Sequence, residues 1–190
     1  MKKLISLLLL VALVSAAASA QKSRRVPRPV VPSPFKYVPG WVNTTDVTYG
    51  FGLGDTNDPN NPCDKSFVSL TSALSYQISR NFTTGGGFGL MFNEDRFFVP
   101  AFLNGRYNFS MPGGNFIPYL NADAGALLNF KDINNETRFF VHPSAGVRYV
   151  FSSYVSATGG LGILTHAGPG TPRNSFFTVR LGVFIALNRK

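Results

Sequence analysis

Two residues of this sequence, His142 and Ser144 in the segment His-Pro-Ser, are of the types that can act as base and nucleophile in hydrolysis. A histidine that takes the proton of a serine hydroxyl creates a nucleophile, and a third group, usually a carboxylate, must orient that histidine. The only glutamates are Glu94 and Glu136, and both fall in polar segments between the apolar ones. A base without an orienting acid does not complete a catalytic triad, so we predict that the protein is not an enzyme.

Cation and phosphate chemistry is poorly supported. The segment Asp55–Asp64 is rich in hard oxygen ligands that suit Ca²⁺. It lacks the spaced carboxylates and the turn glycine of an EF-hand loop, and Asn, Asp and Pro are ordinary turn residues. The glycines of Gly85–Gly89 lie inside an extended segment and open no helix, unlike a phosphate-binding loop. We predict neither a metal nor a cofactor, and the single Cys63 excludes an intramolecular disulfide.

Six ionisable residues recur inside segments that are otherwise apolar or built from small residues. A charged side chain in such a setting needs a partner, and two acids facing three arginines can form an ion-pair network. We predict that these residues form a structural polar network in an interior: Asp46, Arg106, Asp123, His142, Arg148 and Arg180. The alternative is a narrow pore, since many glycines share this inward phase and would leave space there.

The elements that position these residues are strands with a period of two. In Phe176–Leu187, every second residue from Phe177 is large and apolar, whereas the other set is mixed and includes Arg180. About a dozen residues exceed an ordinary strand and suit one that crosses a bilayer at a tilt. The same alternation predicts eight strands in all: Val42–Gly54, Phe67–Ser79, Phe82–Phe92, Phe97–Phe109, Phe116–Phe130, Arg138–Phe151, Tyr154–Thr165 and Ser175–Leu187.

The connections and the aromatic residues agree with a membrane setting. Short turns at Arg80-Asn81, Ser110–Asn115 and Ser152-Ser153 alternate with connections that are mostly longer and more polar, of which Asp55–Ser66 is the longest. Aromatic residues gather near the strand ends, where two membrane interfaces favour them. We therefore predict an all-β fold, an eight-stranded antiparallel up-and-down transmembrane β-barrel. A soluble barrel of lipocalin type, apolar inside and polar outside, is the alternative.

The chain divides into three parts. Residues 1–20 have two lysines, a short apolar core and an Ala-Ser-Ala cleavage site, which indicates a cleavable signal peptide. Residues 21–40 combine five prolines with five basic residues, which predicts an extended basic tail. Residues 41–190 form the barrel. The signal and the tail carry seven of the 18 basic residues and none of the nine acidic ones. Most of the net positive charge therefore lies outside the barrel, and we predict no nucleic-acid partner.

The pattern of a signal peptide and eight amphipathic strands resembles the small outer-membrane barrels of the OmpA transmembrane-domain and OmpX type. The glycine-rich Thr84–Gly89 and the Pro-Ser-Ala-Gly-Val-Arg-Tyr segment Pro143–Tyr149 resemble the outer-membrane-protein β-barrel families of Bacteroidetes. This resemblance implies a location in the bacterial outer membrane, in contact with its lipid, with both termini in the periplasm. Many such barrels end on an aromatic residue, whereas here Phe184 is followed by six further residues.

Lipid A-modifying enzymes are part of the same barrel class, and deacylases among them use a His-x-Ser pair with a Glu on the same wall. The predicted register turns His142 and Ser144 inward, away from lipid, and His166 with Asp132 forms no defined site. We expect instead a structural barrel or an accessory subunit of an outer-membrane assembly. Its partner, another outer-membrane or periplasmic protein, would dock on the tail or the outside loops; the candidate docking residues are Arg24, Arg25, Arg28 and Lys36.

Overall fold

The protein is described by a computed structural model that covers residues 39–53, 66–93, 96–109, 115–129, 137–152, 154–168 and 171–187. Eight strands run through these ranges: β1 (Gly40–Gly52), β2 (Phe67–Gln77), β3 (Phe82–Asn93), β4 (Arg96–Asn108), β5 (Phe116–Leu128), β6 (Arg138–Val150), β7 (Val155–Gly168) and β8 (Thr171–Ala186). Each strand pairs antiparallel with the next, and β8 pairs with β1. The prediction of an all-β, eight-stranded antiparallel barrel is confirmed. The described residues contain no helix long and apolar enough to cross a membrane.

The connections correct one part of the prediction. The strand bounds predicted from the sequence leave His166–Asn174 as a connection, but β7 extends to Gly168 and β8 begins at Thr171, so that His166 pairs with Asn174, with a register shift between His166 and Gly168. Thr165 and Ser175 support this extension through a hydroxyl contact of 3.0 Å. Only two residues separate β7 from β8, and only two separate β3 from β4. The alternation of short and long connections therefore holds for the first and fifth connections but not for the third and seventh.

The barrel has two rims. The terminal rim is the end at which β1 begins and β8 ends, and the loop rim is the opposite end, where β1 ends and β8 begins. The hairpin turns between β2 and β3 and between β6 and β7 lie at the terminal rim. Each spans four residues, and each is closed by backbone hydrogen bonds, from Ile78 to Phe82 at 3.1 Å and from Phe151 to Val155 at 3.2 Å.

The strands alternate as the period of two predicts: most outward side chains are apolar, and most of the buried inward ones are polar. Leu103 is 74% exposed and Leu181 65%, whereas Arg106 is 2% exposed and Thr178 is fully buried. The glycine-rich β3 and β7 keep the same phase, because Thr83 and Met91 in β3 and Ser156 and Thr158 in β7 are buried. A soluble barrel would have the opposite arrangement, so this pattern excludes the lipocalin-type alternative.

Aromatic pairs mark both ends of the outer surface. Near the terminal rim, the Trp41 and Tyr76 rings lie 5.4 Å apart and the Phe116 and Tyr149 rings 4.8 Å apart. Near the loop rim, the Tyr49 and Phe51 rings lie 4.6 Å apart, and Phe92 contacts Phe97 at 5.2 Å. The apolar belt between these two girdles is the outer surface of a transmembrane β-barrel, which faces hydrocarbon between two interfaces.

Candidate functional site in the barrel lumen

The lumen is organised around Arg180, which extends from β8 to two aspartates on other walls. Its Nη2 atom donates to Oδ2 of Asp123 at 2.6 Å, and its Nη1 atom lies 3.6 Å from Oδ2 of Asp46. All three residues are at most 5% exposed. A planar guanidinium presents donors in several directions, so one arginine can neutralise carboxylates on both sides. Asp46 also accepts a hydrogen bond of 3.3 Å from Thr158.

Two asparagines satisfy the other oxygen of Asp123. Asn104 donates to Oδ1 of Asp123 at 2.5 Å, and Asn121 donates to the same atom at 3.1 Å. Asn104 also donates to Asn121 at 2.9 Å, which fixes the orientation of both amides. The buried carboxylate therefore accepts hydrogen bonds from three side chains, and this satisfaction is the condition under which a buried charge is tolerated.

His142 completes the network as a neutral ring. Arg180 Nη2 lies 2.7 Å from His142 Nδ1, and Thr178 Oγ1 lies 2.8 Å from His142 Nε2. Because an arginine can only donate, Nδ1 must accept, and the ring proton is then on Nε2, where it is donated to Thr178. A neutral ring carries no charge to pair with Asp123, whose Oδ2 lies 3.8 Å from Nδ1.

The other two arginines lie closer to the terminal rim and contact aromatic rings. Arg106 donates from Nε to Asn121 at 3.2 Å, lies 4.0 Å from Asp46, and stacks 4.6 Å from the ring centre of Tyr119. Arg148 is buried, with its guanidinium carbon 4.5 Å from the ring centre of Phe184. The structure thus brings five of the six predicted lumen residues into one network, and it places the sixth, Arg148, against the ring of Phe184.

The half of the lumen near the loop rim contains an apolar cluster, beside buried polar side chains such as His166 and Asn174, and the sequence analysis missed this cluster. Seven buried side chains pack together there, with Phe102 against them: Phe67, Met91, Phe98, Leu127, Phe140, Leu164 and Phe176. We name this group the apolar plug. Each member has the inward phase of its strand, as Phe176 has relative to Thr178 and Arg180. Large apolar residues at the loop-rim end of the inward set were the sequence feature that could have revealed it.

The inward glycines do not leave open space, which corrects the expectation that supported a pore. A Cβ atom added to Gly50 would overlap the ring of Phe67. One added to Gly160 would lie 2.8 Å from the hydroxyl of Tyr119, and one added to Gly182 would overlap Asp46. At Gly50, Gly160 and Gly182, side chains of the lumen therefore touch the barrel wall.

One small cavity lies between the network and the apolar plug. Its volume is about 30 Å³, room for about two water molecules. Asp123, His142 and Arg180 line it on one side and members of the plug, including Leu127 and Phe140, on the other.

His142 and Ser144, the residues considered as a base and a nucleophile, both face inward. His142 and Ser144 are 3% and 7% exposed on the lumen wall, and His142 uses both ring nitrogens within the network. His166, which was also weighed for catalysis, is 4% exposed, and its ring is stacked 5.5 Å from that of Phe176. The remaining residues weighed for catalysis, metal binding or docking lie outside the described ranges: residues 55–64, Glu94, Asp132, Glu136, Arg24, Arg25, Arg28 and Lys36. Within the described ranges, His, Cys, Asp and Glu form no group of three that could hold a metal ion.

Comparison with known proteins identifies the fold. No family model and no curated protein matches the chain. Among solved structures, Neisserial surface protein A matches with a TM-score of 0.61 at 13% identity, over 80% of this chain and all of that one. The outer membrane enzyme PagL matches with a TM-score of 0.50 at 12% identity, over 76% of this chain and 99% of that one. At these identities the likeness is one of fold, the small eight-stranded barrel of outer-membrane proteins.

Proposed function

We propose that this protein is a non-enzymatic β-barrel of the bacterial outer membrane, which acts as a structural or accessory subunit of an outer-membrane protein assembly. The observation that carries the proposal is the filled lumen. Arg180, Asp123 and Asp46 close its middle, and the apolar plug closes the half near the loop rim. With the interior devoted to holding the wall together, the surfaces left for function are the lipid-facing belt, the connections and the tail.

The belt supports the membrane part of the proposal. Leu103, Leu181 and their outward neighbours would expose a continuous apolar surface to water, whereas a bilayer accepts it. Outer-membrane barrels of the same strand number share the fold. The proposed orientation has both termini in the periplasm, so that the loop rim faces outward.

A narrow pore is the principal rival, and the filled lumen argues against it. An eight-stranded barrel is only just wide enough for its own side chains, and here those side chains include three buried arginines and seven large apolar residues. Purified full-length protein in planar lipid bilayers should give no steady single-channel conductance. Regular conductance steps that change on replacing Arg180 or Asp123 would favour the pore instead.

Lipid modification is the second rival, since the fold is shared with an enzyme, PagL. His142 and Ser144 lie on the lumen wall, and His142 is bonded to Arg180 and Thr178, so neither residue is presented to a lipid substrate. Mass spectrometry of lipid A from cells with and without the protein tests this rival. We expect identical lipid A, and a lost or added acyl chain would overturn the non-enzymatic assignment.

The tail is the proposed docking segment for a protein partner. Its prolines favour an extended chain that loses little entropy on binding, and its charges at Arg24, Arg25, Arg28 and Lys36 suit an acidic surface. Mild-detergent extraction from native outer membranes, followed by native mass measurement, compares full-length protein with a deletion of residues 22–39. We expect a larger complex that is lost with the tail.

A matched variant separates charge from length. Replacing Arg24, Arg25, Arg28 and Lys36 with Gln keeps the prolines and the reach of the segment. If charge carries docking, this variant should lose the complex as the deletion does. A lone barrel from full-length protein and from both variants would contradict the accessory-subunit role.

A further inference from the structure

A polar cluster interrupts the lipid-facing belt between β1 and β2. Asn43 donates from Nδ2 to Ser72 Oγ at 3.1 Å, and Thr45 donates from Oγ1 to Asn43 Oδ1 at 3.1 Å. All three side chains point outward, in phase with Trp41 and Tyr49 on β1 and with Leu70 and Leu74 on β2. Thr45 pairs directly with Ser72 across the two strands, so the cluster is a compact patch.

The cluster lies deep in the belt. Thr45 is four residues from Trp41 in the girdle at the terminal rim and four residues from Tyr49 in the girdle at the loop rim. Four residues of a tilted strand advance about 10 Å along the barrel axis. At that depth neither water nor lipid headgroups are available as hydrogen-bond partners, since the hydrocarbon core is about 30 Å thick.

The bonds within the cluster leave hydrogen-bonding capacity directed at lipid. Ser72 accepts from Asn43 at 3.1 Å and also accepts, at 3.5 Å, from Thr45 Oγ1, so its own hydroxyl proton can be donated outward. Asn43 Oδ1 accepts from Thr45 but has a second lone pair. The second amide proton of Asn43 has only a contact of 3.5 Å to the Ala73 carbonyl. Thr84 behaves differently, because its hydroxyl donates to the Asn104 carbonyl at 3.0 Å and is satisfied within the barrel wall.

Beside the cluster, the outer surface has one protruding side chain, the knob of Leu74, and one hollow, over Gly86. Leu74, paired with Asn43, is 48% exposed, and Gly86 is paired with Leu74 on the other side. A Cβ atom added to Gly86 would meet nothing closer than 3.4 Å, and one added to Gly105 on the next strand would meet nothing within 4 Å. Small outward residues of this kind allow two backbones to approach closely in a membrane.

We propose that the lipid-facing patch of Asn43, Thr45, Ser72, Leu74 and Gly86 binds a second copy of this chain within the membrane. The patch contains a spare donor and a spare acceptor, and it contains a knob and a hollow. A two-fold interface places the same patch on both sides, so it needs this self-complementarity. Ser72 of one protomer then donates to Asn43 of its partner, and Leu74 of each packs over Gly86 of the other.

The test is site-directed cross-linking of full-length protein in a Cys63→Ser background. The reporter is Val47→Cys, which lies on the lipid face next to the patch without contributing to it. The matched control is Ala145→Cys on the lipid face of β6, four residues from Tyr149 and on the wall opposite β2. A short bis-maleimide should give a product of twice the monomer mass at least about tenfold more abundantly from the reporter than from the control.

A second set of variants tests the chemistry of the patch. In the Val47→Cys background, Asn43→Leu with Ser72→Ala should lower the cross-linked fraction by about tenfold, since both hydrogen bonds between the protomers are then lost. Gly86→Leu, which fills the hollow, should lower it as well. Retained heat-modifiable migration on gels shows that these variants still fold.

The inference rests on the proposed function only in requiring a bilayer around the barrel, so the cross-linking is performed both in native outer membranes and in phosphatidylcholine vesicles. Equal products from reporter and control, a dimer that persists in the Asn43→Leu, Ser72→Ala variant, or a product containing a different protein would each overturn it. A barrel that is absent from the outer membrane but forms the dimer in vesicles would contradict the proposed location and leave this inference supported.

Discussion

Arg180 on β8 and Asp123 on β5 are joined by a hydrogen bond of 2.6 Å that crosses the lumen between strands that are not neighbours in the barrel. The same guanidinium lies 3.6 Å from Asp46 on β1. One side chain therefore holds three parts of the wall together, in addition to the backbone hydrogen bonds of the sheet.

Removing this arginine should destabilise the barrel strongly. Arg180→Met leaves Asp46 and Asp123 buried without their principal cation, and breaking a buried pair in this way costs about 3–5 kcal/mol of unfolding free energy. Urea unfolding in detergent or lipid, followed by fluorescence of the single Trp41, measures the loss. Arg173→Met, at an exposed arginine of the same strand, is the control and should change stability little.

The double replacement Asp46→Asn and Asp123→Asn should recover much of the loss in the Arg180→Met background, because no uncompensated carboxylate then remains. An Arg180→Met variant as stable as the parent would show that the three side chains are not coupled as described.

The apolar plug gives a prediction with a control one residue away. Phe176→Ala removes a ring that is 1% exposed and packs edge-to-face at 5.2 Å on Phe67, which should cost about 3–5 kcal/mol. Phe177→Ala removes the same ring from the lipid face, where Phe177 is 38% exposed, and should cost clearly less. Equal losses in the same unfolding measurement would mean that the loop-rim half of the lumen is not packed.

Gly50 and Gly105 should respond oppositely to the same substitution. Gly50→Ala places a methyl group on the Phe67 ring and should cost about 1–3 kcal/mol through overpacking. Gly105→Ala enters open space on the outer face and should be neutral or slightly stabilising. Phe67→Leu should reduce the cost of Gly50→Ala in a double-mutant cycle, and additivity of the two changes would contradict the contact.

Because the belt faces lipid, the cost of placing an arginine on it should depend on the depth of the position in the membrane. Leu103→Arg, at a side chain that is 74% exposed and four residues from Tyr107, should cost about 2–4 kcal/mol in a bilayer. Leu53→Arg, beyond the Phe51 ring at the loop rim, should cost about 1 kcal/mol or less. Folding yields and unfolding in lipid vesicles compare the two variants. Similar costs would show that these positions do not differ in membrane depth.

The sequence is sufficient to predict which face of a strand each side chain occupies, because a period of two assigns every side chain to one side or the other. Asp46, Asp123 and Arg180 could therefore be placed in the lumen from their phase alone. Their pairing could not be predicted, since it depends on the stagger between distant strands. That stagger brings Arg180 to both aspartates and leaves Arg148 beside Phe184.

The expectations that the structure corrects failed for physical reasons of the same kind. Phase shows that Gly50 faces inward but not that Phe67 on the next strand fills the space it leaves. Turn-forming residues such as Asn174 were interpreted as a loop, yet pairing with β7 keeps that segment in the sheet. In each case a contact between strands overrides a local preference of the chain.

The pairing of β1 with β8 has a consequence for biogenesis. Asp46 lies opposite Gly182, and the Leu187 amide donates to the Trp41 carbonyl at 2.8 Å, so the seam joins the two ends of the fold. The hairpins can form from local contacts, but the seam has the highest contact order in the molecule and must form last. Until the seam forms, the edges of β1 and β8 have unpaired amides and carbonyls that face hydrocarbon, where no other hydrogen-bond partner is available. Insertion should therefore be cooperative, and a chain that stops before β8 should stay with its chaperones and never enter the bilayer.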